Sequence, residues 1–295
     1  ADAIMKDRAT SFYQAFGNLP EVRFRGVAAV YAFCRFADDT IDAVGEPGAH
    51  SLGEARLILD ELEAAVLAIH SDSAEVSAQE ISARLKAADD AWPWWAAFED
   101  TVRSFSIPLD RFVSQIDGQR MDADFTDIKD DSELVLYSRR VAGSVGTMLL
   151  PLLADDGRDM NDVGWLEACE NLGVGMQITN ILRDVGEDLR TRNRVYLPET
   201  RRTEYGVSRD IIERLSHHPD PKTTASLIPQ SFIDMWESLA TLADQYYNAY
   251  EPYLGWFHPN CRVALVAAAL SYRAIADAVR KEKYNCFSSR CYTSA

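Results

Sequence analysis

Strand-type alternation of apolar and polar residues is nearly absent from this chain, as is any repeat of fixed period, which leaves a helical fold. Positive charge is also in short supply. Thirty Lys and Arg stand against 46 Asp and Glu, a net charge of -16. That balance argues against a polyanionic partner such as nucleic acid. It leaves a small phosphorylated substrate open, because bound metal reverses the local sign. The five cysteines (Cys34, Cys169, Cys261, Cys286 and Cys291) are an odd set with no C-x-x-C pair. They give no readable zinc site and fit a reducing cytoplasm. None of the five histidines stands in an E-x-x-H motif, which excludes a di-iron carboxylate bundle. No apolar run reaches the roughly 18 residues of a membrane span. Val141 to Ala154 is interrupted by Pro151, and Val263 to Leu270 is bounded by Arg262. No secretory signal pattern opens the sequence, so the expected location is the cytoplasm.

Helical periodicity is abundant. Hydrophobic residues make up 47% of 295 positions, enough for a substantial core. The pattern predicts helices over residues 4 to 16, Glu21 to Val44, Leu52 to His70, Gln79 to Asp90, from Trp92-Pro93-Trp94-Trp95 onward, and Leu109 to Ala123. Further helices are expected from Ser132-Glu133 through Leu149, and over Asn161 to Asp188, Ser208 to Ser216, Thr224 to Glu251 and Pro259 to Lys283. Ala55, Leu57, Leu59, Leu62, Val66 and Ile69 form the apolar set of the third. The tryptophan cluster reads as packing. Small residues at Ala142, Gly143, Ser144 and Gly146 let helices approach closely or open space for a long ligand. Gly186 marks a kink or a helix end. The expectation is an all-α chain of about ten helices, one domain over residues 1 to 295.

Two segments carry chemistry. Along one predicted helix Gly173, Gln177, Asn180, Asp184 and Asp188 follow steps of three and four, beside an apolar stripe of Val174, Ile178, Ile181 and Val185. Along another, Tyr31, Arg35, Asp38 and Asp42 share a face in the same way. Either D-x-x-x-D pair alone reads most simply as a solvated helix face. The two together, each in a strongly apolar helix, read as bordering the interior. Four carboxylates on a common cavity need cations, since two charges at ~4 Å repel by about 4 kcal/mol at an effective dielectric near 20. Hard oxygen donors without His or Cys suit Mg²⁺, which keeps positions open for substrate phosphates.

At these residues the chain resembles the squalene and phytoene synthases, which join two prenyl diphosphates head to head. Asp38-Asp39-Thr40-Ile41-Asp42 and Asn180-Ile181-Leu182-Arg183-Asp184-Val185-Gly186-Glu187-Asp188 are similar to the two aspartate motifs of that family. Ser11-Phe12-Tyr13, Tyr31 to Arg35, Tyr137 with Val141 to Gly146, and Arg194-Val195-Tyr196-Leu197-Pro198 extend the resemblance over nearly the whole chain. Ala15-Phe16 and Ile233 to Glu237 look most like the bacterial dehydrosqualene (4,4′-diapophytoene) synthases, which use farnesyl diphosphate.

The resemblance implies an isoprenoid synthase fold, with helices around a central apolar cavity. It implies that Asp38, Asp42, Asp184 and Asp188 hold two or three Mg²⁺ ions, with Asn180 and Gln177 along the same wall. Arg35, Arg183, Ser11 and Tyr272 would contact diphosphate oxygens, Tyr137 and Tyr196 would line the reacting end, and Tyr31 would bind substrate. Phe12, Phe16, Val141, Val145, Gly146 and Leu149 would border the prenyl tails. Two departures stand out: Arg139 and Arg140 follow Tyr137-Ser138, and Ser289 occupies a position where the family often has Arg, leaving Arg290 as the nearest.

The expected reaction is condensation of two farnesyl diphosphates to dehydrosqualene in carotenoid biosynthesis. The alternatives are phytoene synthase acting on geranylgeranyl diphosphate, squalene synthase, or a non-catalytic helical protein that kept the fold. An apolar hydrocarbon product implies peripheral contact with a membrane. Oligomeric state is not readable.

Overall fold

The computed structural model describes residues 1–8, 13, 16–71, 77–288 and 290–291. No strand occurs among them, only an isolated antiparallel bridge between Ala154 and Phe257. No helix among them is long and apolar enough to cross a membrane. The chain forms two compact units. The first comprises Ala1–Asp124, Ser144–Leu166 and Tyr253–Leu265, the second Phe125–Gly143, Glu167–Pro252 and Val266–Ala295.

In the first unit, α1 (Asp2–Arg8) is followed by α2 (Glu21–Asp42), α3 (Leu52–His70), α4 (Ala78–Ala91), α5 (Trp95–Phe105) and α6 (Leu109–Ala123). Local chemistry sets the ends. Ser51 with Glu54, and Ser77 with Glu80, form complete capping boxes at the starts of α3 and α4. Pro108 precedes α6, and Ser106 ends α5 in a left-handed turn at φ 49°. α3 buries Ala55, Leu59, Leu62, Val66 and Ile69, while Leu57 is 62% exposed, so it does not belong to the expected apolar face. The core is aromatic. Phe33 stacks on Phe98 at 4.9 Å and meets Phe112 edge-on at 5.2 Å, Trp94 and Trp95 pack against Phe98, and Trp92 packs on Phe36 and Trp94.

The expected helix from Ser132 is three elements: α7 (Asp131–Ser138), a π-helical turn (Arg139–Gly143) and α8 (Ser144–Leu153). Pro151 lies inside α8 rather than ending it. A proline has no N–H, so the Thr147 carbonyl loses its helical partner. Buried Arg111 of α6 donates to that oxygen at 2.6 Å, and Arg23 of α2 donates to the carbonyls of Leu152 (3.0 Å) and Ala154 (2.8 Å) at the helix end.

The second unit contains α7, the π-helical turn and most of α9 (Val163–Arg183), then α10 (Val185–Arg192), α11 (Glu199–Glu204), α12 (Arg209–Ser216), α13 (Pro221–Leu227) and α14 (Gln230–Tyr247). α15 (Pro259–Lys281) supplies its last helix. The helix expected over Thr224 to Glu251 is two, because Pro229 drives Ile228 into extended backbone (ψ 119°). Among the described residues there are fifteen α-helices, more than the ten expected, since prolines and ladder breaks divide several of them.

The π-helical turn lies against α9 through glycines. A Cβ on Gly173 would come within 2.5 Å of the Ala142 carbonyl oxygen, and one on Gly143 within 2.7 Å of the Glu170 side chain. Of the two readings of the small residues in this stretch, close approach applies at Gly143. Backbone cannot yield as a side-chain tip can. Gly173→Ala is therefore expected to lower stability by about 2–3 kcal/mol, read as a lower urea midpoint at unchanged slope.

Candidate active site

The first acidic motif sits in the first unit on α2. This helix buries Val27, Val30, Phe33, Ala37 and Ile41, and carries Tyr31, Arg35, Asp38 and Asp42 on the half-buried border of that face. Arg35 Nη1 donates to Asp38 Oδ2 at 3.2 Å, and Nη2 donates to Asp39 Oδ1. Asp38 keeps 38% of its side-chain surface, yet its carboxyl is pushed up to about 7. Burial contributes most, the charge of Asp42 next, with Asp39 and Asp122 adding to it and Arg35 opposing. Burial likewise raises the Tyr31 phenol.

The second motif sits in the second unit, and there the helix is not continuous. The ladder breaks at Asp184 (φ -102°, ψ 14°), two residues before the glycine expected to mark it. In an unbroken helix the Gly186 N–H would donate to the Leu182 carbonyl. It donates instead to Cys286 at 3.0 Å, and the Trp236 indole N–H donates to Leu182 at 3.0 Å. Gly186 must lack a side chain for this, since a Cβ would overlap the Phe287 carbonyl. Arg183 grips Asp184 with two hydrogen bonds of 2.7 and 2.6 Å. Arg290 reaches the same carboxylate at 3.2 Å and lies 3.8 Å from Glu187. Asp188 pairs with Arg192 at 3.3 Å. Asn180 Oδ1 is buried without a hydrogen-bond partner.

The remaining site residues fall as follows. Phe16 and Leu149 are buried and Val145 and Gly146 half-buried, all in the first unit. In the second unit Tyr137 stacks on Tyr196 at 5.0 Å, and Arg194 donates to the Tyr196 hydroxyl at 3.1 Å. Val141 lies in the π-helical turn, Gln177 is half-buried on α9, and Tyr272 on α15 stands within electrostatic reach of Arg183. Arg139 pairs with Glu170 at 3.3 Å. Ser11 and Phe12 lie outside the described residues.

Sequence reasoning missed a polar stripe. Arg111, Gln115, Gln119 and Asp122 recur at steps of four, four and three along α6, and all are buried. Asp122 adds its charge beside Asp38. The signal was present, for a helix with polar residues on its periodic inner face is as unusual as one with acidic residues there.

Hard oxygen donors fit a divalent cation at both motifs. Crowded negative charge at Asp38 and the orphaned amide oxygen of Asn180 are each relieved by one. Among the described residues no three His, Cys, Asp or Glu side chains converge as a metal cage. Mg²⁺ seldom uses such cages, taking one or two carboxylates and completing its shell with water and phosphate.

Residues 5–295 match the profile of the squalene/phytoene synthases. The chain belongs to the squalene/phytoene synthase family. It is a prenyltransferase, and its all-α fold is that family's. It is 33% identical over 292 residues to 4,4′-diapophytoene synthase of Staphylococcus haemolyticus (strain JCSC1435), covering 99% of this chain and 90% of that one. It is 30% identical over 295 residues to chloroplastic phytoene synthase of an Oncidium hybrid cultivar, covering 99% of this chain and 63% of the relative. Among solved structures a ligand-bound dehydrosqualene synthase superposes with a TM-score of 0.75 at 33% identity, over 96% of this chain and 86% of that one. Squalene synthase HpnC from Alicyclobacillus acidocaldarius, at 20% identity and a TM-score of 0.68 over 96% and 92% of the two chains, shares the fold.

The raised Asp38 carboxyl gives a signed expectation. The folded, metal-free protein keeps a proton there that the unfolded chain gives up. The stability this group carries is present below about pH 4 and lost as pH rises through about 7. Asp38→Asn should therefore stabilise the chelator-treated protein at pH 8, and the gain should vanish by pH 4. Solvent screening limits the effect to the order of 1 kcal/mol, or about 2–4 °C in Tm. Melting curves of both proteins across that range check it.

Proposed function

We propose that this prenyltransferase condenses two farnesyl diphosphates head to head into dehydrosqualene, with the whole chain acting as one isoprenoid synthase domain around an apolar cavity. The observation that carries the reading is the first acidic motif of a full-length family match, where Asp38 stands beside Asp39 and Asp42 and burial, with the charge of Asp42 next, raises its carboxyl. Kinship at 33% identity with a 4,4′-diapophytoene synthase supports the C30 product.

Asp38 and Asp42 in one motif, and Asn180, Asp184 and Asp188 in the other, would hold two or three Mg²⁺ ions. When bound, Mg²⁺ neutralises the diphosphate so that it can leave. The remaining steps rest on the chain's own groups. Arg35, Arg183, Arg290, Ser11 and Tyr272 donate to diphosphate oxygens as charge develops on them. Departure of diphosphate leaves an allylic cation that water would quench. Phe12, Phe16, Val141, Val145, Gly146 and Leu149 exclude water and hold the second prenyl chain against the cation. Its double bond captures the cation, and proton loss gives a cyclopropylcarbinyl diphosphate. A second ionisation opens the ring beside Tyr31, Tyr137, Tyr196 and Gln177, and proton loss completes the conjugated triene. The product is insoluble in water, so the enzyme works in peripheral contact with a membrane in the cytoplasm.

A second reading, condensation of geranylgeranyl diphosphate to a C40 product, is favoured by the 30% identity to a phytoene synthase. Incubation with farnesyl diphosphate and Mg²⁺, without a nicotinamide, should release diphosphate and a C30 hydrocarbon, and chelation should stop it. A C40 product from a mixture of both substrates selects the second reading. No turnover of either substrate removes both.

A further inference from the structure

Trp236 takes no part in the chemistry just described, yet its side chain is completely buried and held from three directions. Its indole N–H donates to Leu182, Arg280 lies over the ring at 5.4 Å, and Tyr284 meets the ring edge-on at 5.4 Å. Glu237, the next residue, fixes both neighbours: it accepts from Arg280 at 2.8 and 2.7 Å and from the Tyr284 hydroxyl at 2.6 Å. A buried aromatic ordinarily satisfies its N–H wherever an acceptor offers. This one takes the Leu182 carbonyl, one of those that the break at Asp184 leaves without a helical partner.

Competition for that carbonyl decides the shape of the motif. If the Gly186 amide returned to Leu182, the helix would run straight through Asp184. The carboxylates of Asp184 and Asp188 would then turn to a different angle. Two arrangements prevent the return. Trp236 occupies the acceptor, and the segment Asn285–Ser288 occupies the donor through Cys286. The same segment is held to α10 by Arg190, which donates to the carbonyls of Phe287 and Ser216, and to α14 by the Phe287 ring on Phe232 at 4.7 Å.

We infer that Trp236 is a positioning residue for the second acidic motif: by holding the Leu182 carbonyl it keeps the helix broken at Asp184 and so aims Asp184 and Asp188 at the cation they bind. This rests on the reading that those aspartates hold Mg²⁺ with diphosphate.

Trp236→Phe keeps an aromatic ring and removes the donor. Calorimetric titration of Mg²⁺ in the presence of inorganic diphosphate should show affinity weakened about five- to tenfold. Amides of Val185 to Asp188 should exchange faster by a similar factor, and the Mg²⁺ concentration for half-maximal turnover should rise in step. Ile212→Val, a core truncation on α12 in the same unit, serves as the control and should leave all three unchanged. If Trp236→Phe lowers Tm but leaves the Mg²⁺ affinity and Gly186 exchange at wild-type values, Trp236 is only a core residue and the inference fails. Absence of turnover by the wild type would defeat the functional reading alone, since the exchange and titration do not depend on it. Should the variant not fold, native-state exchange of the wild type decides. The Trp236 indole proton and the Gly186 amide should exchange in one opening event, whereas independent rates overturn the proposal.

Discussion

Carboxylates set side by side at the edge of an apolar core repel one another, and each acidic motif is shaped by where its compensating charge comes from. The two are chemically unequal. Asp38 shares its surroundings with Asp39, Asp42 and Asp122, and Arg35 divides its guanidinium between Asp38 and Asp39. Burial does most to raise the Asp38 carboxyl, and the charge of Asp42 adds to it. Asp184 keeps only 13% of its side-chain surface and lies between two guanidiniums, Arg183 and Arg290. A half-buried carboxyl beside a second carboxylate is also a group that welcomes a divalent ion.

A second device recurs in both units. Where a helix loses a rung of its ladder, a side chain from another helix takes the abandoned carbonyl. In the first unit Pro151 frees Thr147 and buried Arg111 takes it. In the second Gly186 turns away from Leu182 and Trp236 takes it. An unpaired carbonyl in the interior costs about 1–3 kcal/mol, so neither break could persist without its partner. Residues that look in the sequence like ordinary core or surface groups are in these cases the condition for a bend elsewhere.

Much of the candidate site was legible in the sequence because helical spacing is rigid. Steps of three and four put Tyr31, Arg35, Asp38 and Asp42 on one border of α2 whatever that helix packs against. The buried polar stripe of α6 obeys the same rule, and its last member, Asp122, stands one residue from the end of that helix. Arg290 could be named only as a neighbour of the usual position, since nothing local ties residue 290 to residue 184. Helix limits were legible where capping residues set them, as at Ser51 and Pro108. They were illegible where a partner from another helix set them.

The amino-acid order alone determined the helical class, the acidic faces and the family, because each depends on neighbours within a turn or two. Tertiary structure alone decided that Asp38 resists ionisation, that Leu57 faces solvent, and that the second motif is bent at Asp184 rather than straight through to Asp188. Each of those outcomes depends on a group more than fifty residues away, such as Asp122, Trp236 or Cys286, or on which face the core covers. The local pattern does not encode such pairings, because many distant partners would satisfy it equally well.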